Sequence, residues 1–505
     1  MRGNVQQQRW GGLNRLDMAG ALLAVVLGGT AGAATAFGPV WVLAGVLALV
    51  LAYALLTSVM AGLTLVVAIM TLIPFATLPF KAVITPTFLS LALLALFMVW
   101  VLRLLARSDR YPLRLSPLGL PLLAFLGFTF FSLILGARGL PDTLTLHNYA
   151  KFVLGVGLFL SVINGVRTVA QARLLLRALI VCGGIAALVG LLLYALNDDT
   201  ALHVLTSLGR IGYPTEGRVL RYVEDDVDGL ERAIGLSVDP NSFGGMLALI
   251  SALAATQLFA RRPVLLRGIL IVIVLTMVIA ILLSFSRAAL FGLVAAMGYI
   301  ATMRYRRLWW VMLGIGLLAV VLLFGLGIAG DVAQRLSEGV QFEDQAQQMR
   351  LAEFQNALTI IQRYPVFGIG FGQAPEIDLV AGVSSIYLTI GQRMGLVGLA
   401  AFVLLVAAWF WLTANGMARL DEERAAWLLG TQAGLIAALT VGLADHYFFN
   451  IEFSHMVALF WGCAGLGIAI RSLETADNDD MLAESWAAHE LTAPSKPAII
   501  QPGTD

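Results

Sequence analysis

Apolar runs of about 18 or more residues, separated by short charged connections, recur along almost the whole chain. A helix rising 1.5 Å per residue needs about 20 residues to cross a hydrocarbon core of ~30 Å. On that ruler the sequence predicts spans at 18–37, 40–57, 59–75, 86–105, 117–136, 149–166, 174–196, 239–260, 267–284, 287–303, 308–328, 385–413, 427–444 and 451–470. The expected fold class is therefore all-α, a polytopic membrane helix bundle of about 14 transmembrane helices. The first apolar stretch is too long, and too closely followed by a second, for a cleavable signal peptide.

The polar intervals divide the chain into a cytoplasmic N-terminus at 1–17, a transmembrane bundle at 18–471 and a tail at 472–505. The tail is acidic, contains Pro494, Pro497 and Pro502, has no sustained period, and is expected to be disordered. Two long polar segments, 197–238 and 329–384, interrupt the bundle. Within the second, Leu351, Phe354, Leu358 and Ile361 fall at i, i+3, i+7 and i+10, which predicts an amphipathic helix lying on a surface by that narrow apolar face. Pro365 ends it, and Gly368-Ile369-Gly370-Phe371-Gly372 predicts a tight turn.

Composition excludes the set of soluble domains that 505 residues would otherwise suggest: 59% of the residues are apolar and only 12% charged. Lys+Arg (32) and Asp+Glu (31) nearly cancel, so there is no polybasic signal for nucleic acid. Cys182 and Cys463 both sit in apolar runs and give neither a disulfide framework nor a metal motif. The arginines of the short loops fix the orientation. Arg2/Arg9/Arg15, Arg103/Arg107/Arg110/Arg114, Arg167/Arg173/Arg177, Arg261/Arg262/Arg267 and Arg304/Arg306/Arg307 all alternate to one side, which places both termini in the cytoplasm and both long polar segments outside. Under this topology the cytoplasmic side holds 20 basic and 12 acidic residues and the outer side 12 and 19, so near-neutrality is a cancellation across the bilayer.

Outer arginines are then the exceptions. Arg287 follows Ser284-Phe285-Ser286 at a junction with no polar loop to solvate it. It either snorkels to the interface or forms an anion clamp, for which its permanently charged planar fork is suited. Arg350 and Arg363 lie on the amphipathic helix, and Arg218, Arg221 and Arg232 on the other outer segment. Each alone reads as a solvated charge, but together they concentrate guanidinium groups outside. Asp239-Pro240-Asn241 reads first as a helix start, with Asp239 as N-cap and Pro240 at the first helical position. Lys151 and Arg393 sit at shallow depth within spans, where a cation is functional by default. Asp445-His446 occupies the outer turn before the last span, where His446 reads either as an interfacial residue among aromatics or as a general base. No phosphate-binding loop, dinucleotide fingerprint or zinc spacing is present, and no cofactor is expected.

Several of these pieces together resemble the O-antigen ligase and polymerase superfamily. They are Arg232 with Asp239-Pro240-Asn241-Ser242-Phe243-Gly244, Ser284-Phe285-Ser286-Arg287-Ala288-Ala289, Arg350 with Phe354 and Ala357-Leu358, Pro365 with Gly368-Ile369-Gly370-Phe371-Gly372, and Tyr387-Leu388 with Gly395-Leu396-Val397-Gly398. The ordered match covers roughly 230–400. The resemblance implies a GT-C-like helical fold and a metal-independent inverting glycosyltransferase. Such enzymes take a glycan from undecaprenyl diphosphate on the outer (periplasmic or extracellular) face of the bacterial cytoplasmic membrane. It implies that Arg287 and Arg350 hold the donor diphosphate. The family's ligases carry a His-Asn pair just before the Tyr-Leu motif, where this chain has Ser384-Ser385. That departure favours a polymerase of lipid-linked repeat units, with His446 as the substitute base.

The site expected is thus His446, Arg287 and Arg350 for catalysis, with Arg232, Arg218, Arg221, Arg363, Arg393, Lys151, Asn241, Asp445 and Tyr387 binding substrate. The expected partners are a lipid-linked glycan donor and acceptor and the bilayer, with a chain-length regulator and a flippase as further candidates. The alternatives are a ligase acting on lipid A-core or a protein, and a transporter or flippase of lipid-linked sugars. A transporter should show paired broken helices and polar residues at the midplane.

Overall fold

A computed structural model describes residues 58–78, 85–106, 113–136, 141–325, 345–371 and 383–492, single positions 115 and 228 excepted, and a few isolated positions before 58. The regular elements among the described residues are all helices, with isolated bridges Thr77–Thr87 and Tyr222–Glu231 in place of strands. Five helices come first: α1 (Val59–Leu72), α2 (Phe88–Ala106), α3 (Gly119–Gly136), α4 (Thr143–Gly165) and α5 (Val169–Tyr194). A short α6 (Asp198–Ser207) precedes α7 (Pro240–Phe259), α8 (Arg267–Leu283), α9 (Arg287–Met303) and α10 (Arg307–Gly325). The last four are α11 (Gln345–Arg363), α12 (Ile386–Met417), α13 (Glu422–Val441) and α14 (Ser454–Thr492).

Polar residues at the predicted loop edges start many of these helices. Asp142 caps α4, Thr168 and Gln171 form a capping box on α5, Ser286 caps α9, and Asp421 caps α13. Twelve expected spans have a helix; 18–37 and 40–57 lie almost wholly outside the described residues. Among the described residues, seven helices are long and apolar enough to cross a membrane: α2, α4, α5, α7, α12, α13 and, through Leu473, α14. The shorter apolar helices are α1, α3, α8, α9 and α10. The protein is a multi-pass membrane protein.

The centre of the bundle is α7, buried from Pro240 to Gln257 save for Asn241, with α13 and α14 beside it. Hydrocarbon gives no hydrophobic drive for helices to meet, so close packing must hold them. Gly430 and Gly434, four apart on α13, provide it: a Cβ there would sit 3.4 and 3.2 Å from the Leu253 and Leu249 carbonyl oxygens of α7. Gly292 brings α9 nearer still to the Ala437 carbonyl, whose oxygen would lie 2.8 Å from a Cβ there. At the periphery α10 is apolar and exposed along its length, from Trp310 (74% exposed) to Phe324 (73%), as a helix facing lipid should be.

Three segments carry structure beyond what the sequence pattern specifies. The 197–238 segment is not a plain loop; it folds into α6, two 3₁₀ turns and a small cluster of Leu193, Leu205, Val219 and Ile234. The amphipathic helix exists as α11, and the Leu351-Phe354-Leu358-Ile361 stripe is not the face it packs on the protein. Leu351 and Leu358 are exposed, while Ala357 and Ile360 are buried. The inward stripe is Arg350, Glu353, Ala357, Ile360 and Tyr364, because two charged residues on it have partners across the helix interface. Finally, the tail expected to be disordered begins as helix: α14 continues to Thr492. Residues 474–492 contain neither Gly nor Pro and hold four Ala and three Glu, so nothing breaks the helix before Pro494.

Candidate active site

The bundle has two polar ends. At one, α5, α7, α9 and α13 bring Arg173, Arg261 and Arg304 to Glu422 and Glu423. The other end collects the residues singled out in the sequence.

There, Asp239 caps α7 by accepting from the backbone N–H groups of Asn241 and Ser242, both at 2.9 Å. The cap turns Asn241 toward Arg232, whose Nη2 donates to Asn241 Oδ1 at 2.7 Å while its Nε donates to the Ser284 carbonyl at 2.8 Å. Arg232 therefore ties the start of α7 to the turn between α8 and α9. That turn is tight enough to force Phe285 to φ 49°, a left-handed conformation costly for an aromatic residue. Arg287 opens α9 directly after it and is exposed. Burial with the Asp239 and Asp445 charges drives the Tyr447 phenol far above its ordinary range. Below the cap, Ser242 Oγ meets His455 Nε2 at 3.2 Å, fully buried against Phe75 and Phe453.

The turn between α13 and α14 carries the least comfortable groups. Asp445 is 3% exposed and its Oδ2 has no hydrogen-bond partner among the described residues; neither has the buried Nδ1 of His446. Burial pushes the Asp445 carboxyl up to about 7 against the pull of Arg350 and Arg232, with Asp239 and Glu353 pushing the same way as burial. Burial pushes the His446 imidazole down, opposed by Asp239, Glu353 and Glu452. His446 stacks on Tyr447 with ring centroids 4.6 Å apart. A carboxyl near neutrality beside a neutral imidazole is a pair able to take a proton.

Helix α11 covers this turn. Glu353 Oε2 accepts from the Ser384 backbone N–H at 3.0 Å and from its hydroxyl at 2.6 Å, while Ser385 Oγ donates to the Gly442 carbonyl at 3.2 Å. The two serines thus staple α11 and the end of α13 to the start of α12. Further along, α12 breaks at Gly395 (φ 68°, ψ −173°). The break is closed by the 365–371 turn: Ile369 and Gly370 N–H donate to the Gln392 and Arg393 carbonyls, and Leu396 N–H to the Pro365 carbonyl. Any side chain at Gly395 would collide with the Val366 carbonyl at 2.2 Å, so glycine is required.

The structure gathers Arg232, Asn241, Arg350, Asp445 and His446 into one charged cluster, with Arg221 acting on Tyr447 from its edge. Glu452 acts electrostatically on Lys151, Arg393 and His446, which links the two shallow cations to the same turn. Arg393 also donates to the Gly370 carbonyl at 3.1 Å and lies over the Phe371 ring. Arg363 is exposed at the far end of α11, Arg218 pairs with Asp225 on the surface, and the Tyr387 hydroxyl is bound to the Leu439 carbonyl at 3.0 Å. Sequence reasoning missed Glu353 and Tyr447. Glu353 was findable as the acid one turn from Arg350.

Residues 272–403 match the family model described as O-antigen ligase. The match supports the resemblance to the O-antigen ligase and polymerase superfamily. It covers Arg287, Arg350, Arg363, Tyr387 and Arg393, and leaves Arg232, Asn241, Asp445 and His446 outside the O-antigen ligase stretch. No curated protein matches the chain.

Proposed function

We propose that the protein is a glycosyltransferase that polymerises undecaprenyl-diphosphate-linked repeat units into a surface polysaccharide, working without a metal and with inversion. The bundle would be GT-C-like with about 14 spans, in the bacterial cytoplasmic membrane, with both termini in the cytoplasm and the site on the outer face. The observation that carries this reading is the buried Asp445, ringed by the half-buried Arg232, Arg350 and His446 beside the turn that presents Arg287. Burying a carboxyl with an unpartnered oxygen is costly, and Asp445 Oδ2 braces nothing among the described residues.

Each group has a task in such a transfer. Arg287 and Arg350 meet the donor diphosphate, whose negative charge grows as the glycosidic bond breaks; fixed guanidinium groups in a poorly hydrated site stabilise that charge. Arg232, with its fork held by Asn241 and the Ser284 carbonyl, fixes the turn that aims Arg287. The Asp445–His446 turn takes the proton from the acceptor hydroxyl, and Lys151 and Arg393 face the lipid-linked acceptor. Arg221 completes the anionic pocket at its edge.

A polymerase is favoured over a ligase because Ser384-Ser385 stand where the ligases carry His-Asn, and both serines are spent on structural hydrogen bonds. The broken α12 is the one observation on the side of a transporter or flippase. However, its freed backbone groups are taken up by the 365–371 turn. Reconstitution with a single defined undecaprenyl-diphosphate repeat unit tests the reading. A ladder of products is expected; product only after adding lipid A-core or a protein acceptor would mean a ligase, and movement of intact lipid without product a transporter.

A further inference from the structure

The arginine-rich end of the bundle, away from the proposed active site, carries more charge than its ion pairs use. Residues 259–267, between α7 and α8, and 303–310, between α9 and α10, hold six arginines and no acid. The two segments meet. The Phe259 and Tyr305 ring centroids lie 5.1 Å apart, and Arg261 and Arg304 converge on Glu422 of α13 at 3.1 and 4.0 Å.

Both segments are built by their own hydrogen bonds. Arg267 Nη2 donates to the Ala260 carbonyl at 2.9 Å and Arg177 Nε to the Val264 carbonyl, which closes the first. In the second, the Leu308 and Trp309 N–H groups donate to the Tyr305 and Arg306 carbonyls at 2.8 and 3.2 Å. The Trp309 ring lies across α9, 3.5 Å from where a Cβ on Gly298 would be. Arg261, Arg267 and Arg304 are thus committed to the fold. Arg262, Arg306 and Arg307 are exposed, and none of them makes an ion pair among the described residues. The surroundings of these three are apolar. Trp309 and Trp310, both exposed, follow Arg306 and Arg307 directly, and Leu266 is 74% exposed at the foot of α8. Beyond them α8 exposes Ile269, Val272 and Leu275, and α10 is apolar and exposed along its length. Charge, then indole, then aliphatic side chain is the order of the headgroup, interfacial and hydrocarbon layers of a bilayer.

We propose that the two segments form one docking surface for the headgroups of anionic phospholipids, with Arg262, Arg306 and Arg307 meeting the phosphates and Trp309 and Trp310 lodged at the interface. Arginine suits the task because its fork meets phosphate oxygens bidentately. A basic residue near an anionic membrane surface is worth about 1 kcal/mol, roughly fivefold in affinity. Orientation of the chain requires positive charge at this end, but not its placement beside exposed indoles at the foot of two lipid-facing helices. Because the segments are already folded, headgroup binding has little backbone to order.

The test uses the full chain purified in a neutral detergent, probed with phosphatidylglycerol, phosphatidylcholine, inorganic phosphate and polyglutamate. Binding is followed by native mass spectrometry and by the thermal unfolding midpoint. Phosphatidylglycerol is expected to bind more tightly than phosphatidylcholine, and R262Q/R306Q/R307Q to weaken it by about tenfold or more. R306Q/R307Q, which leaves the paired arginines and Arg262 in place, should lose an intermediate factor and keeps the test open if the triple variant does not fold. R262K/R306K/R307K keeps the charge and should retain most of the preference for phosphatidylglycerol. Equal binding of the two lipids by wild type overturns the proposal, as does wild-type binding of phosphatidylglycerol by the folded Gln variants. A midpoint shift with inorganic phosphate as large as that with phosphatidylglycerol would make this a surface for soluble anions. Binding of polyglutamate without phosphatidylglycerol would assign it to an acidic protein, and either result overturns the lipid assignment.

Discussion

The two ends of the bundle use the same residue types in opposite ways. At one, charges sit in short pairs that range from exposed to half-buried: Arg261 is 84% exposed against Glu422, and Arg173 donates through Nε and Nη2 to Glu423 at 3.0 and 2.6 Å. Those pairs tie loops together and their solvent screens them. At the other, Asp445 is buried with an unpartnered oxygen, and the arginines around it leave its carboxyl near neutrality. A pair that only braced the fold would relax toward a good hydrogen bond. Charges held short of one are what a site awaiting an anionic ligand and a proton transfer requires.

The sharpest way to break that contrast is to remove the arginines at the proposed active end. Arg350→Ala and Arg287→Ala are each expected to lower the rate of polymer formation by about 10²–10³ while protein stays in the membrane, the usual effect of deleting one preorganised donor at a developing charge. Arg350→Lys should recover little, because a point charge cannot replace a fork. Normal chain growth in either Ala strain would sink the assignment of this end as the active site.

Next in size is the effect of pH through Asp445. If its carboxylate takes the proton, activity rises with pH through about 7 and then levels, and Asp445→Asn removes that limb. Stability should move the other way. The folded-state carboxyl lies above its unfolded value, so the folded protein binds the extra proton, and stability is greatest below the unfolded value and falls as pH rises through about 7. Asp445→Asn should abolish that fall, read as the change in unfolding midpoint between acidic and mildly alkaline buffer. If His446 is the acceptor instead, Asp445→Asn keeps the activity limb and His446→Gln loses it.

Much of this arrangement is legible in the sequence, for identifiable reasons. Spans follow from apolar length, and the Asp239-Pro240 cap from local chemistry, because both depend on neighbours in the chain. Arg287 stands out because charge without a polar loop is costly. The rotation of α11 is not legible, since its apolar residues mark the face toward an interface while its inward stripe is set by Glu353 meeting Ser384, 31 positions away. The same long range hides Tyr447, whose partner Asp239 belongs to another helix start.

Packing offers a control of intermediate size. Gly434→Leu forces α13 away from the Leu249 carbonyl of α7 and is expected to cost about 1–3 kcal/mol through overpacking. It should lower yield and unfolding midpoint together and affect both ends of the bundle, unlike the arginine variants. Glu353→Gln is smaller and local. It keeps one acceptor for Ser384 but loses the charge, at about 1 kcal/mol. Its signature is easier proteolysis near α11 with the rest of the bundle unchanged.

The smallest expected effect tests the other half of the contrast. Arg261 donates to Glu422 at 3.1 Å in near-complete solvent exposure, and Glu422 also has Arg304 within 4.0 Å. Arg261→Ala therefore leaves the acid with a second cation and removes a pair worth about 0.2–1 kcal/mol at most. Polymer formation should match wild type, and any shift of the unfolding midpoint should vanish when salt is raised toward 1 M, where the Debye length falls to ~3 Å. A loss of activity comparable to that of Arg350→Ala would mean that the two ends are coupled, and that the surface pairs do more than join loops.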